Sequence, residues 1–415
     1  MPAMLDALSL RLPQPDVSLH LKDLAAFYRR TLLNDVVPFW LRHGWDHEYG
    51  GISNVVDDKG DALNHDKFLW SQGRALWTFS ALHRRVEARE EFLAFARHIF
   101  QYLSRNGRDG DGRWMYRLDP SGRVLEGSTS IFVDAFVFHG LEEYYRASGE
   151  KAALDLACAT CENALARLGR PGSYGTAPYS VPEGLQQHGM AMIYSLFCYE
   201  LGCTAGRQDF IDAGLRYADD ILEAFYVPEK NAILEYVTLD GKFHDSPEGR
   251  ACVPGHALEA MWFSILIYEK AGLSSRIPRC CELILRHLEI GWDEEHGGMF
   301  LALDISGRSP AYWNSADCKP WWVQVEALVA TAFAWRYTRQ SWCLEWHERV
   351  REWAFERYPV ATGEWRQWLS RSGEPIPSAA LPVKDPFHLP RALMYLTEIL
   401  GSDEGQTSGV RQPKV

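Results

Sequence analysis

Two histidines hold comparable places in this chain. His256 lies in "CVPGHALEAMWF" and His388 in "DPFHLPRALMYL". Pro254 and Gly255 precede the first, and Pro390 suits the first helical turn beside the second, so both imidazoles should sit at helix N-termini. There the positive end of the helix dipole disfavours imidazolium. An imidazole that is neutral near pH 7 accepts a proton, which suits general-base work. Glu259, three residues after His256, shares its helical face and could orient its ring. Arg74 shares a face with Trp70 and Trp77, and an inward guanidinium needs an anion or several oxygens, because an unpaired buried charge is costly. Glu326, one turn after Trp322, offers one such partner. His188, in "GLQQHGMAM", reads as a residue at a polar cavity edge. Each also has a plain structural reading: a satisfied core histidine, or an Arg74–Glu326 ion pair that only ties two helices together.

A repeat decides what could bring these residues together. The phrase "GWDHEYGG" (44–51) returns as "GWDEEHGG" (291–298). Phrases of alternating residues ending in a polar-Gly turn recur at 50–63, 112–125, 232–244, 297–310 and 363–376, with a degenerate copy at 171–184. Each reads as a short β-hairpin. The spacing of about 60–66 residues makes six units, each a helix pair plus a hairpin. The helix after each hairpin is apolar nearly all round and belongs inside; the next, as in "EEFLAFARHIFQYLSRNG", alternates with charge and belongs outside. The fold class is therefore all-α: an (α/α)6 barrel with short β-hairpins between helix pairs. We expect one catalytic domain over 1–415, with a loose lead to about residue 17 and a disordered tail from about Ser402. Arg74, His188, His256 with Glu259, Glu326 and His388 come from five units and gather at one rim. In the duplicated phrase Asp46 and Asp293 are read as turn and capping residues. The alternative, a pair of catalytic carboxylates, would need a separation of about 6.5–9.5 Å for inverting glycoside hydrolysis.

Composition narrows the field. Hydrophobic residues make up 47% of 415, enough for a large core, and no apolar run reaches the ~18–20 residues of a membrane span. The first twenty residues lack the basic start and apolar stretch of a signal peptide. Nine cysteines are scattered without a metal or disulfide framework, which suits a reducing cytoplasm. A formal charge of −12 argues against nucleic acid. Sixteen Trp, 18 Tyr and 19 Phe favour a carbohydrate ligand, whose apolar ring faces stack on aromatics. No Walker A, G-x-G-x-x-G or H-E-x-x-H signature occurs, so neither a metal nor a nucleotide cofactor is indicated.

Five phrases, "DKFLWSQGRALWTFSAL", "EGRACVPGHALEAMWF", "WDEEHGGMFLALD", "KPWWVQVEALVA" and "PFHLPRALM", resemble the N-acylglucosamine 2-epimerase family, which also contains cellobiose and mannose 2-epimerases and aldose–ketose isomerases. The resemblance runs in order from about residue 25 to 400 and implies an (α/α)6 barrel. It implies that Arg74, His256, His388 and Glu326 form the active site, with His256 and His388 as the acid/base pair. The chemistry implied is inversion at carbon 2 of an open-chain aldose by two-base proton transfer through an enediolate, with no cofactor required. Arg74 would stabilise the enediolate, Glu259 and Glu326 would position Arg74 or the rings, and Trp70, Trp321 and Trp322 would hold the sugar. His188 would assist ring opening or bind a hydroxyl. Some members take a nucleotide activator, and a homodimer is in keeping with the family. Where acetylglucosamine epimerases read M-x-VP-M, this chain has "QQHGMAMIYSL", closer to the cellobiose epimerase and isomerase branches. The phrases around His256 and Glu326 favour N-acetylglucosamine and N-acetylmannosamine. Mannose, glucose, a reducing-end disaccharide, an aldose–ketose isomerisation, an inverting glycosidase and a non-catalytic partner binder are the alternatives.

Overall fold

The computed structural model of the chain describes residues 17–170, 172–377 and 383–402. The expected lead and tail lie outside these residues, except that Val17 already opens the first helix and Ser402 follows the last. Six helices form the inner ring: α3 (Leu69–Ala81), α5 (Ile131–Ser148), α7 (His188–Ala205), α9 (Pro254–Lys270), α11 (Trp321–Thr338) and α13 (His388–Gly401). The outer layer is α1 (Val17–Thr31) with α2 (Val37–His43), then α4 (Glu90–Arg105), α6 (Lys151–Leu168), α8 (Gln208–Asp220), α10 (Ile277–Gly291) and α12 (Ser341–Arg357). Successive inner helices pack on one another from α3 round to α13, those from α3 to α11 each also pack on the outer helix that follows, and α1 packs on α13. Every residue of α7 from His188 to Gly202 is buried, whereas α4 buries only the stripe Phe92, Phe95, Ala96, Ile99, Tyr102 and Leu103. That contrast is the sequence pattern made physical: a helix flanked on all sides has no polar face to keep. Small residues let inner helices touch. A Cβ at Gly140 would run into the Gly73 carbonyl, so α5 and α3 cross with backbone against backbone. The ring closes between α13 and α3, where Thr78 Oγ1 donates to the Pro386 carbonyl and the Trp77 and Phe387 rings stand 5.6 Å apart.

Three of the expected hairpins fold back locally: Val56 meets Ala62 within 50–63, Arg117–Leu118 meets Val124–Glu126 within 112–125, and Leu369 meets Pro375 within 363–376. A second pairing was not expected: the segment that opens one inner helix pairs antiparallel with the hairpin of the next unit. Lys67–Phe68 meets Arg117–Leu118, Ser130 meets Thr176, Leu185–Gln187 meets Tyr236–Thr238, Ala251–Cys252 meets Leu303–Asp304, and Lys319–Pro320 meets Trp368–Leu369. The sixth contact returns to the start: Lys384 N donates to the Asn54 carbonyl at 2.8 Å. A two-residue strand satisfies few backbone groups alone, so sideways pairing completes what a short hairpin leaves open.

The duplicated phrase is a built corner. In both copies the Asp side chain accepts from two backbone N–H groups: Glu48 and Tyr49 for Asp46, Glu295 and His296 for Asp293. Both turns also meet a buried lysine, Lys67 Nζ donating to Asp46 at 2.5 Å and Lys319 Nζ to Asp293 at 3.0 Å. A glutamine then clamps each turn exit. Gln72 pairs with both backbone groups of Ile52, and Gln324 with both of Met299.

Candidate active site

The strand handoffs bring the starts of the inner helices to one rim, where a cavity opens to solvent. Trp70, Arg74, His256, Glu259, Trp321, Trp322 and His388 line it, together with Gln187, Trp313 and Asp385. Glu326 and His188 do not line it; they are 0% and 1% exposed and act from behind the wall.

His256 is the third residue of α9. The glycine before it has no Cβ, and one there would collide with the Trp322 indole. Trp322 therefore packs onto the start of α9, with ring centroids 5.2 Å from His256 and 5.8 Å from His388. The two imidazoles consequently lie within about 11 Å of each other.

A carboxylate holds each ring at Nδ1, which leaves Nε2 to exchange protons. For His256 the partner is Glu235 Oε2, at 2.9 Å. Glu235 is fully buried and fixed by its backbone, its N–H donating to Ala251 O while its carbonyl accepts from His188 N. Its Oε1 accepts from Gln187 Nε2 at 3.0 Å, and His188 Nδ1 lies 3.8 Å from Oε2. Burial pulls the His256 imidazole down, but the facing Glu235 carboxylate outweighs it, so His256 is raised above its ordinary value. Burial pushes Glu235 up, yet the two imidazoles hold it down at about 2.

His388, the first residue of α13, meets Glu326 Oε1 at 2.8 Å. That carboxylate is already occupied: Arg391 Nη2 donates to the same oxygen at 2.7 Å and Trp262 Nε1 to the other at 2.9 Å. Arg391 also holds Glu259. Burial pulls His388 down to about 3, with Glu259 opposing and the Arg74 and Arg391 cations adding to the fall. One imidazole faces a carboxylate without another cation; the other faces one already neutralised by arginine. The two surroundings therefore push in opposite directions, His256 toward holding its proton and His388 toward losing it.

Four expectations are corrected by this geometry. Arg74 pairs with Asp385 Oδ2 at 3.0 Å, not with Glu326. Its guanidinium lies 4.0 Å from the Phe136 ring centroid, and its Nε has no partner among the described residues. Glu259 holds Arg391 rather than the His256 ring. Of the two imidazoles, only His388 is held neutral by its surroundings; the helix dipole at His256 is overridden by a carboxylate in contact. His188 is not at the cavity surface, because its ring packs behind His256 against Phe225 and Glu235.

Three groups of histidine and carboxylate ligand atoms come close together among the described residues: His188/Glu235/His256, Glu259/Glu326/His388 and His139/Glu142/Glu200. Arg391 neutralises the second, and Arg146 with Lys270 the third. In the first the contacts of the Glu235 carboxylate are the His256 and His188 imidazoles and the Gln187 amide.

The sequence pattern of N-acylglucosamine 2-epimerase (GlcNAc 2-epimerase) matches residues 50–392. The chain belongs to this family. It is 29% identical to the N-acylglucosamine 2-epimerase of Mus musculus over 396 residues, covering 89% of this chain and 90% of that one. It is 26% identical to the cellobiose 2-epimerase of Dictyoglomus turgidum, covering 89% and 96%. The structure of cellobiose 2-epimerase from Spirochaeta thermophila superposes with a TM-score of 0.79 at 19% identity, covering 93% of this chain and 98% of that one, and so shares the fold. In this family member, sequence reasoning missed Glu235, Asp385 and Arg391. A signal existed for two of them. Glu235 is the lone acid in the alternating "AILEYV", and Arg391 follows His388 by the interval that separates Glu259 from His256.

Proposed function

We propose that this chain is a sugar 2-epimerase that inverts carbon 2 of a reducing aldose, with N-acetylglucosamine and N-acetylmannosamine as its substrates. One observation carries the reading: two imidazoles, each held at Nδ1 by a buried carboxylate, open on one cavity beside a guanidinium. With an open-chain aldehyde between them, His388 Nε2 takes the proton from carbon 2. The C–H electrons form the C1–C2 double bond and the carbonyl electrons move to O1, where Arg74 meets the developing charge. His256 Nε2 then delivers a proton to the opposite face of carbon 2, O1 returns to a carbonyl, and the centre is inverted. The reverse direction exchanges the two roles. Each acid/base group contributes about 10²–10⁴-fold and the guanidinium a few kcal/mol. Glu235, Glu326 and Arg391 are positioning residues, and Trp70, Trp321 and Trp322 supply ring-sized aromatic surface.

Support comes also from the family and from the names of its members, acylglucosamine and cellobiose 2-epimerases. The carboxylates on the cavity wall, Glu259 and Asp385, are tied to Arg391 and Arg74, which leaves neither free as the acid of a glycosidase. The reading extends to a cytoplasmic homodimer: all nine cysteines are free thiols, no helix among the described residues is long and apolar enough to cross a membrane, and the dimer rests on family resemblance.

The deciding experiment is NMR in deuterated water with N-acetylmannosamine, mannose and cellobiose. Deuterium at carbon 2 with inversion supports the reading. A ketose product replaces it with an isomerase, and no exchange at carbon 2 of any of these sugars overturns it.

A further inference from the structure

Two rings on the cavity wall belong to no inner helix. Tyr179 comes from the third, degenerate hairpin, and Trp313 from the stretch between Leu303–Asp304 and Lys319–Pro320. Both line the cavity, and they stack with centroids 5.3 Å apart and planes 15° from parallel. Trp313 in turn stands edge-on to His256, at 6.0 Å and 82°. Trp322 packs on the same imidazole at 5.2 Å, so His256 lies between two indoles. Tyr179, 44% exposed, continues the Trp313 side toward solvent.

The two halves of this stack are held differently. Trp313 packs against a buried group that includes Val253, Leu301 and Trp368. Tyr179 rides on a stretch with little to hold it. Ala177 N donates to Thr129 O before it, and the Pro182 carbonyl accepts from Leu185 N after it. Between those two points no backbone group is hydrogen-bonded among the described residues. Nor does any backbone hydrogen bond among the described residues join this stretch to residues 306–318, so ring stacking is the tie. A stacked aromatic pair favours contact by only about tenfold or less. A segment with so few bonds opens at low cost.

We propose that Tyr179 is the leaf of a gate: it swings off Trp313 to pass the sugar, then returns to roof the His256 side of the cavity. The sugar's identity rests on the 2-epimerase reading above; the motion does not. Closure has a chemical use. While carbon 2 lacks its proton, water reaching it would protonate it without the enzyme's choice of face, and a closed roof keeps that water out.

Tyr179→Ala removes the leaf and leaves His256, His388 and Arg74 in place. The probe is whichever of three alditols that cannot turn over, N-acetylglucosaminitol, glucitol and cellobiitol, binds tightest. NMR line shapes give its association and dissociation rate constants. A gate slows entry and release alike, so losing it should raise both constants by about threefold to tenfold with affinity nearly unchanged. Dissociation that rises alone, with affinity falling in proportion, makes Tyr179 a binding surface and overturns the gate. Constants within about 1.5-fold of wild type overturn it too. Tyr179→Phe keeps the stack and should match wild type; where the alanine variant fails to fold, Tyr179→Leu carries the same test. Both constants rising while carbon 2 exchanges on no sugar upholds the gate and overturns the epimerase reading instead.

Discussion

Changing Glu235 to Gln separates the site proposed here from a merely polar cavity. The carboxylate is fully buried, contacts His256 Nδ1 at 2.9 Å and is the reason that His256 is raised rather than lowered. With a neutral amide in its place, burial is left to dominate, and His256 must fall below its ordinary value. At neutral pH the proton donor of the resting pair is then missing. The expected loss in turnover is that of a general acid, about 10²–10⁴-fold. The sign of the pH dependence is fixed too. In wild type, activity should decline on the alkaline side as His256, raised above 6.5, gives up its proton. In Glu235→Gln that limb should move toward acid, so lowering the pH recovers part of the lost rate. The assay is carbon-2 deuterium incorporation from pH 5 to 9, alongside a denaturation curve showing that the barrel is intact. A folded variant within about fivefold of wild type, with its alkaline limb unmoved, would refute the idea that Glu235 holds the proton on His256.

His256→Asn and His388→Asn should each lose at least about 10²-fold in carbon-2 exchange while circular dichroism stays unchanged; more than about a tenth of wild-type activity in either removes that histidine from the mechanism. Asp293→Asn should destabilise the barrel by about 3–5 kcal/mol, more than a lost cap, because it leaves the buried Lys319 ammonium without its counter-charge. Its activity per folded molecule should stay near wild type, and a normally stable but inactive variant reverses the architectural reading.

The ring architecture was legible because it is written in a long-wavelength pattern. An inner helix such as α7 is apolar on every face and α4 on one, and no short-range accident imitates that over six units. Strand partners were not legible. Two-residue strands such as Lys319–Pro320 carry no register of their own, and their pairing is decided by which helix starts lie side by side. The two cavity histidines stood out by their helix-start positions, whereas their electrostatic state did not. That state depends on whether the facing carboxylate is already neutralised, and Glu326 and Glu235 look alike in sequence. The partner of Arg74 is 311 residues away at Asp385, and only ring closure brings it near. The buried lysines of the duplicated corner did leave a trace in "KFLWSQ" and "KPWWVQ", where each stands five residues before its clamping glutamine.

Because every unit passes a strand to the next and Lys384 passes one back to Asn54, the rim is a cycle, and a cycle has no first member. The covalent chain is interrupted once along it, between α13 and α1, and there side-chain packing does the work that a peptide bond does elsewhere. The barrel is thus indifferent, in its contacts, to where the chain is cut. A permuted gene that opens the loop at Gly149, between α5 and α6, and ties the old ends together would present the same six handoffs, the same rim and the same two imidazoles. Order along the gene and order around the ring are separable in this protein.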